Sequence, residues 1–527
     1  MRCSLASSIA VTCATVLALP VSLAAPAAAA VPSALGLPPA ATAQPPAPEL
    51  PGATQSLPLE PLDAGDRSLG GGTDDADVQG LTRRDVRPFS LVGVVWDDPT
   101  AALHGVVQVR TRATGGGAWS EWQDVETHNE EHGADPDTAE GHGRALKGST
   151  APLWVGDSDG VEIRVRGDEP LPEGLRLELV DPGEAPGGTP AQDPAQEPEK
   201  TATPATAATE VTEATAATAV TAVTKASWSR TTAGSLALAG LSAAQAAVSG
   251  VNTQLAPFGS AWIPALSKEA TELTLPFAPA PHAAPGEAQA PPAAPHVIPD
   301  EAQAPDEAQA PAEAQAPEQL AAAKPYIGPR PKIITRAGWG ADERIREKGF
   351  VYTKTIKAAF VHHSATGNNY TCAQAPSVLR SIYRYHVQSS GWRDFGYNFA
   401  VDKCGNIYEG RAGGVAKPVL GAHTLGFNTN SMGIAVLGTF TKSNPPAAVV
   451  TAVARLTAWK LGLHGVNPKG SAYLVSGGGN LYKKGSTVKL NAIAGHRDGF
   501  ATECPGARLY GKLGTARTSS AKYQGRS

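Results

Sequence analysis

The residues best suited to chemistry lie in the last third of the chain. His496 and Cys504 stand eight positions apart in a stretch that also holds Pro505 and several glycines, and His362 ends an apolar run about 130 residues upstream. Two imidazoles and a thiolate are donors that suit zinc, and a site with three protein ligands keeps its fourth position for water or substrate. The residue types therefore predict a catalytic zinc site, provided that the fold brings the three side chains together.

The cysteines are consistent with an exported protein. Residues 1–30 combine a basic start, an apolar stretch and a run of small residues, which is the pattern of a secretory signal peptide, and they carry two of the five cysteines. In an oxidising compartment we expect Cys372 and Cys404 to form a disulfide bond. Cys504 is then left as a metal ligand or as a spare buried cysteine. We therefore expect a secreted protein, either free or associated with the cell wall.

Charge is distributed unequally along the chain. Residues 326–527 contain 27 Lys+Arg and 8 Asp+Glu, whereas the whole chain has a formal net charge of −5. A domain this basic favours an anionic partner, and export favours a bacterial wall, rich in carboxylates and often in phosphate polymers, over nucleic acid. A solvated basic face without a partner is the alternative.

Composition divides the region before residue 326 into three parts. Residues 31–85 are rich in Pro, Ala and Gly and are expected to be disordered. Residues 86–182 contain short alternating runs separated by Gly, Asp and Pro turns, which predicts a separate all-β, sandwich-like accessory domain. Residues 183–325 are rich in Pro, Ala and Thr, so we expect a long disordered linker. Within it, Ala233–Val251 is interpreted as a transient or interfacial helix, and no membrane span is expected.

Residues 326–515 alternate apolar strands with helices. Strands are expected at Ala358–His363, Tyr397–Val401, Ile407–Glu409, Gly433–Leu437 and Leu490–Ala494. Helices are expected to begin near Pro376 and near Pro446. This alternation predicts an α/β domain with a mixed central sheet and flanking helices, in which the last strand delivers His496.

Five motifs of this C-terminal domain together carry a family resemblance. They are Phe360–Thr366, Gly391–Phe399, Ile407–Arg411, Gly421–His423 and Gly495–Gly506. In their order and spacing, over about residues 333–513, they resemble the peptidoglycan recognition proteins and the zinc-dependent N-acetylmuramoyl-L-alanine amidases of phage-lysozyme type. The β domain followed by a Pro/Ala linker also resembles the architecture of long secreted actinobacterial members.

The resemblance implies an enzyme that holds zinc through the three donors named above. It also implies that Tyr397 donates a hydrogen bond to the oxygen that gains charge during the reaction, and Thr502 is a second candidate for this role. An ordinary half-buried strand tyrosine and a turn residue supporting the neighbouring cysteine are the alternatives for these two. His363 is expected to point to the opposite face of its strand and to pack or support the site rather than bind zinc.

The resemblance further implies a substrate groove beside the metal. Its expected lining is Trp392, Arg411, His423 and Asn428, with packing roles as the alternative, and an arginine suits the carboxylates of a stem peptide. The implied reaction is hydrolysis of the amide between the N-acetylmuramoyl lactyl group and L-alanine of the peptidoglycan stem peptide. The alternative is a recognition module that binds peptidoglycan without cleaving it, and the presence of Cys504 favours the enzyme.

Overall fold

The computed structural model describes residues 52–62, 78–129, 131–138, 141, 145–184, 242–275 and 326–527. The predicted signal peptide, and most of the regions predicted to be disordered or to form a linker, lie outside these residues. Within them, no helix is both long and apolar enough to cross a membrane. The described residues of the N-terminal β domain and of the C-terminal α/β domain belong to one compact unit.

The N-terminal domain is all-β, as predicted, but it starts earlier than predicted. Its strands are β1 (Ala53–Pro58), β2 (Glu60–Pro61), β3 (Val78–Trp96), β4 (Gly105–Ala113), β5 (Gln123–Val125), β6 (Gly148–Ser149), β7 (Leu153–Gly167) and β8 (Arg176–Asp181). They form one sheet in the order β1-β8-β3-β7-β4-β5, with β2 and β6 paired to β3. The prediction of disorder over 31–85 is therefore wrong for 53–61 and 78–85. These residues gain their order from the strands that they pair with, and β1 pairs with the distant β8.

Alternation along β3 gives this sheet two buried faces. Val92 and Val94 point into the core of the N-terminal domain. Leu91 and Val95, on the opposite face, belong to a second core that also contains residues of the C-terminal domain. The β domain is therefore not separate in the sense predicted, because one face of its sheet packs on the C-terminal domain.

Part of the predicted linker is folded. Residues 242–275 contain helix α1 (Ala243–Gly250), strand β9 (Trp262–Ile263) and helix α2 (Lys268–Leu273). Ser242 and Ser267 cap the two helices, because each side-chain oxygen accepts a hydrogen bond from a backbone N–H group of the first turn. β9 pairs antiparallel with Ile333–Ile334 of the C-terminal domain. The prediction of a disordered linker is thus wrong for this segment, because its buried apolar residues Ala256 and Ile263 pack in the core of that domain.

The C-terminal domain confirms the predicted α/β class. Its strands are β10 (Ile333–Ile334), β11 (Ala358–His363), β12 (Phe399–Val401), β13 (Ile407–Glu409), β14 (Ser431–Val436), β15 (Ser471–Val475), β16 (Thr487–Asn491) and β17 (Ile493–Gly495). Its helices are α3 (Arg336–Trp339), α4 (Ala375–Arg384), α5 (Ala447–Gly462), α6 (Ala507–Tyr510) and α7 (Leu513–Tyr523). The main sheet has the order β17-β11-β14-β12-β13-β10-β9 and mixes parallel and antiparallel pairs.

Strand β11 lies near the centre of the fold, between parallel neighbours β14 and β17. Each of its six side chains is buried, as expected for a parallel strand whose sheet is covered on both faces. The strand predicted at Leu490–Ala494 is divided in two. β16 alternates exposed and buried residues in a two-stranded hairpin with β15, whereas the fully buried β17 joins the main sheet and leads to His496.

Helix α4 and the π turn that follows it, Tyr385–Ser389, connect the two domains. The fully buried Tyr385 hydroxyl lies 3.2 Å from the Val94 carbonyl oxygen and 3.0 Å from the Thr150 carbonyl oxygen. Gly93 faces the same ring, and a Cβ there would lie 2.4 Å from the hydroxyl oxygen. The domains are therefore held together by buried contacts and not by a chain connection alone.

The predicted disulfide Cys372–Cys404 is present, with its Cα atoms 6.2 Å apart. It links the short turn before α4 to the turn between β12 and β13. Of the cysteines that the structure describes, Cys504 remains as a free and buried thiol.

Candidate active site

Two adjacent parallel strands bring the first two predicted ligands together. His362 is the fifth residue of β11, and His496 directly follows β17. Val361 is in register with Gly495, so the two strands end side by side, and the two imidazole centroids are 4.4 Å apart. Both histidines are completely buried. The carboxyl ends of neighbouring parallel strands therefore form the base of the site, where ligands bind in open α/β sheets.

The loop after His496 returns Cys504 to the same point. The thiol Sγ is 3.8 Å from His362 Nδ1. Two hydrogen bonds hold the loop: the Arg497 N–H group donates to the Cys504 carbonyl at 3.0 Å, and the Cys504 N–H group donates to the Thr502 hydroxyl at 3.1 Å. The fold thus brings together the three donors that were selected from the sequence.

A fourth donor comes from the N-terminal domain. His132, between β5 and β6, places its Nε2 atom 3.9 Å from Cys504 Sγ. One ligand atom each from His132, His362, His496 and Cys504 lies within 4.8 Å of the other three. His132 therefore stands where the sequence predicted a fourth position open to water or substrate, and the open position stays a prediction. That prediction considered the donors of the C-terminal domain alone.

This group of four side chains, the metal group, fits a divalent ion such as zinc. Both ring nitrogens of His496 are buried without a hydrogen-bond partner among the described residues, and metal ligation would account for one of them. Burial, with the neighbouring imidazoles, lowers the pKa of His362 and His496 well below the usual value, and burial lowers the pKa of His132 to about 3. The imidazoles are therefore neutral at pH 7, which is the form that binds metal. Burial raises the pKa of the Cys504 thiol, and a coordinated cation would reverse that shift.

The two residues predicted to act on the substrate lie beside the metal group. The ring centroid of Tyr397 is 5.1 Å from that of His362. Burial raises the pKa of Tyr397 well above its usual value, so the phenol stays protonated and can donate a hydrogen bond. The Thr502 hydroxyl donates to Glu131 Oε1 of the N-terminal domain at 2.6 Å. Catalytic roles for Tyr397 and Thr502 stay predictions.

Comparison with known proteins identifies the C-terminal domain. A family model described as N-acetylmuramoyl-L-alanine amidase matches residues 352–507. Peptidoglycan-recognition protein SC1a of Drosophila melanogaster is 30% identical over 192 residues, which cover 36% of this chain and 87% of that protein. The chain belongs to the peptidoglycan-recognition protein and amidase family.

Two further similarities concern the amidase domain, and one concerns the β domain. Human N-acetylmuramoyl-L-alanine amidase is 30% identical over 190 residues, which cover 35% of this chain and 28% of the human protein. The solved structure of wild-type Drosophila PGRP-LB matches 35% of this chain and 92% of its own, at 27% identity and a TM-score of 0.27. A second family model, described as the Rv3811 N-terminal galactose-binding domain-like, matches residues 39–202. His132 therefore reaches the amidase domain from a domain of a second family.

Two of the four residues predicted to bind substrate are engaged within the amidase domain. Trp392 stacks on His386 with ring centroids 4.3 Å apart. Arg411 donates to the carbonyl oxygens of Phe395 at 2.8 Å and Leu420 at 3.2 Å. The cavity beside the metal group is lined by other residues, so substrate binding by Trp392 and Arg411 stays a prediction.

Of the other two, His423 lies next to a member of the metal group, and Asn428 contacts His423. The ring of His423 is completely buried, with its centroid 5.3 Å from that of His362. The Asn428 side-chain oxygen accepts a hydrogen bond from the His423 N–H group at 2.7 Å. The Asn428 amide nitrogen donates to the Gly133 carbonyl of the β domain at 2.8 Å. Asn428 therefore contacts the β domain at the place where it was predicted to contact the substrate.

His363 lies outside the metal group, as its strand position predicted. Its Nδ1 atom accepts a hydrogen bond from the Phe440 N–H group at 3.3 Å. The ring still lines the cavity beside the metal group. It therefore packs next to the site without joining the four donors.

Sequence reasoning missed Glu131 and His132. Both lie between β5 and β6, in a stretch (126–147) that shows neither helical nor strand periodicity. Loops longer than about 12–15 residues without regular structure are uncommon in compact domains and are often functional. The length of this loop, together with the histidines and carboxylates in it, was the signal that could have identified them.

Proposed function

We propose that this protein is an exported, zinc-dependent N-acetylmuramoyl-L-alanine amidase. Its reaction would be hydrolysis of the amide that joins the muramyl lactyl group to L-alanine of the stem peptide. The observation that carries the proposal is the convergence of His362, His496 and Cys504 at the ends of β11 and β17. Two imidazoles and a thiolate suit zinc. The relatives named for peptidoglycan recognition and for this amidase activity support the substrate class.

The residues around the metal group have distinct roles in this proposal. A bound zinc ion would supply Lewis-acid polarisation and activation of water. Tyr397 would donate a hydrogen bond to the scissile carbonyl oxygen as negative charge develops on it. Because burial keeps this phenol protonated, it can donate throughout the neutral pH range. Thr502 would add a second donor once its hydroxyl is released from Glu131.

The charge of the amidase domain supports an anionic wall substrate. Residues 326–527 carry 27 Lys+Arg against 8 Asp+Glu, and stem peptides carry carboxylates. Long-range attraction of this kind raises the rate of encounter with a polyanion. Together with the signal-peptide pattern of residues 1–30, it supports action at a bacterial wall outside the cell.

The four-donor metal group favours a second candidate, a peptidoglycan-binding protein whose metal is structural. Structural zinc sites have four protein ligands, whereas catalytic sites keep an open position. His132 brings this group to four. The two candidates differ in whether the site ever turns over substrate.

One experiment separates them. Protein that lacks residues 1–30 is analysed for zinc and incubated with purified walls containing diaminopimelate or lysine, and released stem peptides with a free L-alanine amine are measured by mass spectrometry. We expect release by the zinc-loaded protein or by its His132→Ala variant, and none from Cys504→Ser, which lacks the thiolate ligand. Bound zinc without released peptide in the wild type and in His132→Ala, on both kinds of wall, would establish the binding protein instead.

A further inference from the structure

Residues 131–138 of the β domain, the covering segment, contact the amidase domain beside the metal group. Three donors of the amidase domain contact them. The Leu425 N–H group donates to the Glu131 carbonyl at 3.0 Å, and the Gly426 N–H group donates to the Asp135 carboxylate at 2.5 Å. The third donor is the Asn428 side-chain amide, which contacts the Gly133 carbonyl at 2.8 Å. Carbonyl and carboxylate oxygens of the segment are thus bound by one loop of the amidase domain, residues 425–428.

The covering segment is acidic where the amidase domain is basic. Asp137 forms an ion pair with Lys484 of the amidase domain. Asp135 is buried, and its carboxylate also accepts from the Asn428 amide at 3.1 Å. Glu131 is buried against Thr502. Carboxylates and main-chain carbonyls are also the polar groups that a stem peptide presents, so the segment matches the chemistry of the proposed substrate.

The rest of the β domain fixes the covering segment in this position. Glu178 accepts a hydrogen bond from the buried Ser389 hydroxyl at 2.9 Å. Arg380 of α4 donates to the Pro182 carbonyl at 3.2 Å and to the Gly183 carbonyl at 2.9 Å. With the shared apolar core, these contacts fix the β domain against the amidase domain. His132 is consequently held with its side chain 8% exposed.

We propose that the β domain keeps the amidase in a latent state, in which His132 is the fourth ligand of the metal and the covering segment occupies the substrate position. This inference rests on the proposed function. Displacement of the segment frees three groups together: the fourth position of the metal group, the Thr502 hydroxyl and the Asn428 amide. The β domain, predicted to be an accessory domain, is thereby an inhibitory domain.

The test measures access to the metal independently of catalysis. Full-length protein without its signal peptide is loaded with Co²⁺, whose visible absorption depends on the number and type of its ligands, and is titrated with azide. Wild-type protein should show no azide-dependent change, whereas His132→Ala should bind azide because its fourth position is free. His104→Ala, at an exposed histidine of the same domain, should match the wild type. An azide response in the wild type equal to that of His132→Ala would overturn the proposal.

A second pair of variants tests the covering segment apart from the metal ligand. Asp135→Ala removes the carboxylate bound by Gly426 and Asn428, whereas Asp137→Ala removes an exposed one. We expect a soluble muropeptide to bind at least about tenfold more tightly to Asp135→Ala than to the wild type. The reason is that the variant has a larger fraction of molecules in which the covering segment has left the substrate position. Asp137→Ala should change the Kd by less than about threefold. Equal Kd values for the wild type and Asp135→Ala would contradict an occupied substrate position.

The outcomes for latency and for the proposed function are distinct. If azide and muropeptide bind as expected but no wall is cleaved, the proposal of a covered site stands and the proposed amidase activity is rejected. Cleavage by the wild type at the rate of His132→Ala would leave the amidase in place and reject latency. Increased cleavage by His132→Ala, together with its azide response, is the result that we expect.

Discussion

Arg336 and Arg344 offer a direct test of how burial determines the contribution of an ion pair to the free energy of unfolding of this domain. Arg336 Nε lies 2.6 Å from Glu343, its Nη1 atom lies 3.1 Å from Asp394, and its side chain is 0% exposed. Arg344 Nε lies at a similar 2.9 Å from Asp342, but the Arg344 side chain is 48% exposed. Both arginines thus pair with carboxylates at short range, Arg336 with two in a buried place and Arg344 with one near the surface.

We expect Arg336→Met to lower the free energy of unfolding of the amidase domain by about 3–5 kcal/mol, because removing one partner leaves buried carboxylates without their counter-charge. Glu343 keeps a second partner, Arg346, at 2.6 Å, whereas Asp394 loses its ion pair with Arg336 and the Gly410 carbonyl loses a donor at 2.5 Å. Arg344→Met should cost about 0–1 kcal/mol, since water already screens that pair. Arg336→Lys should fall between them, because lysine keeps the charge without the planar fork.

The assay is urea denaturation of the full-length protein at pH 7, followed by tryptophan fluorescence and far-UV circular dichroism. Trp339 is fully buried and its indole donates to the Glu409 carbonyl at 2.7 Å, so unfolding of this region changes its emission. Equal losses for Arg336→Met and Arg344→Met, or a loss below about 1 kcal/mol at Arg336, would refute the argument from burial.

Two further predictions concern the metal group and the core. His362→Asn should abolish zinc binding, whereas His363→Asn should retain it, because the His363 ring contacts the Phe440 N–H group instead. The zinc content of both purified variants tests this prediction, and an equal loss of zinc in both would contradict it. Burial lowers the pKa of Lys460 to about 7 from 10.5, so the unfolded chain binds more protons between these values and stability should rise with pH across that window, by at most about 1.4 kcal/mol per unit. The free energy of unfolding of Lys460→Met, measured by urea denaturation at several pH values in this window, should rise less steeply with pH.

The three donors of the amidase domain could be found from the sequence because each ends or follows a short motif whose residue types are chemically distinctive. His362 lies near the end of one apolar strand and His496 follows another, and parallel strands end at one edge of a sheet. His132 could not be found in this way. It belongs to another domain and to a loop without periodicity, and its position depends on how two sheets pack, which no local pattern encodes.

Two segments that were predicted to be disordered, β1 and residues 242–275, are folded for a common reason. β1 contains few apolar side chains, and residues 242–275 stand within a long region rich in Pro, Ala and Thr, so the composition of the surrounding sequence predicts disorder for both. Both nevertheless add a strand to the edge of a sheet that forms elsewhere, β1 to β8 and β9 to β10. Edge strands take much of their stability from main-chain hydrogen bonds to a preformed neighbour, and such bonds leave little trace in composition.

The shared apolar core has a consequence for how the chain is made. Tyr385 and the Val94 carbonyl that it contacts are separated by 291 positions. A ribosome delivers the sheet face that bears Leu91, Val95 and Trp154 long before it delivers the helix that covers this face. The N-terminal domain therefore exposes this apolar face until the helix has been synthesised. Neither domain can be transferred to a relative by itself, because separating the two domains would expose an apolar patch on each of them.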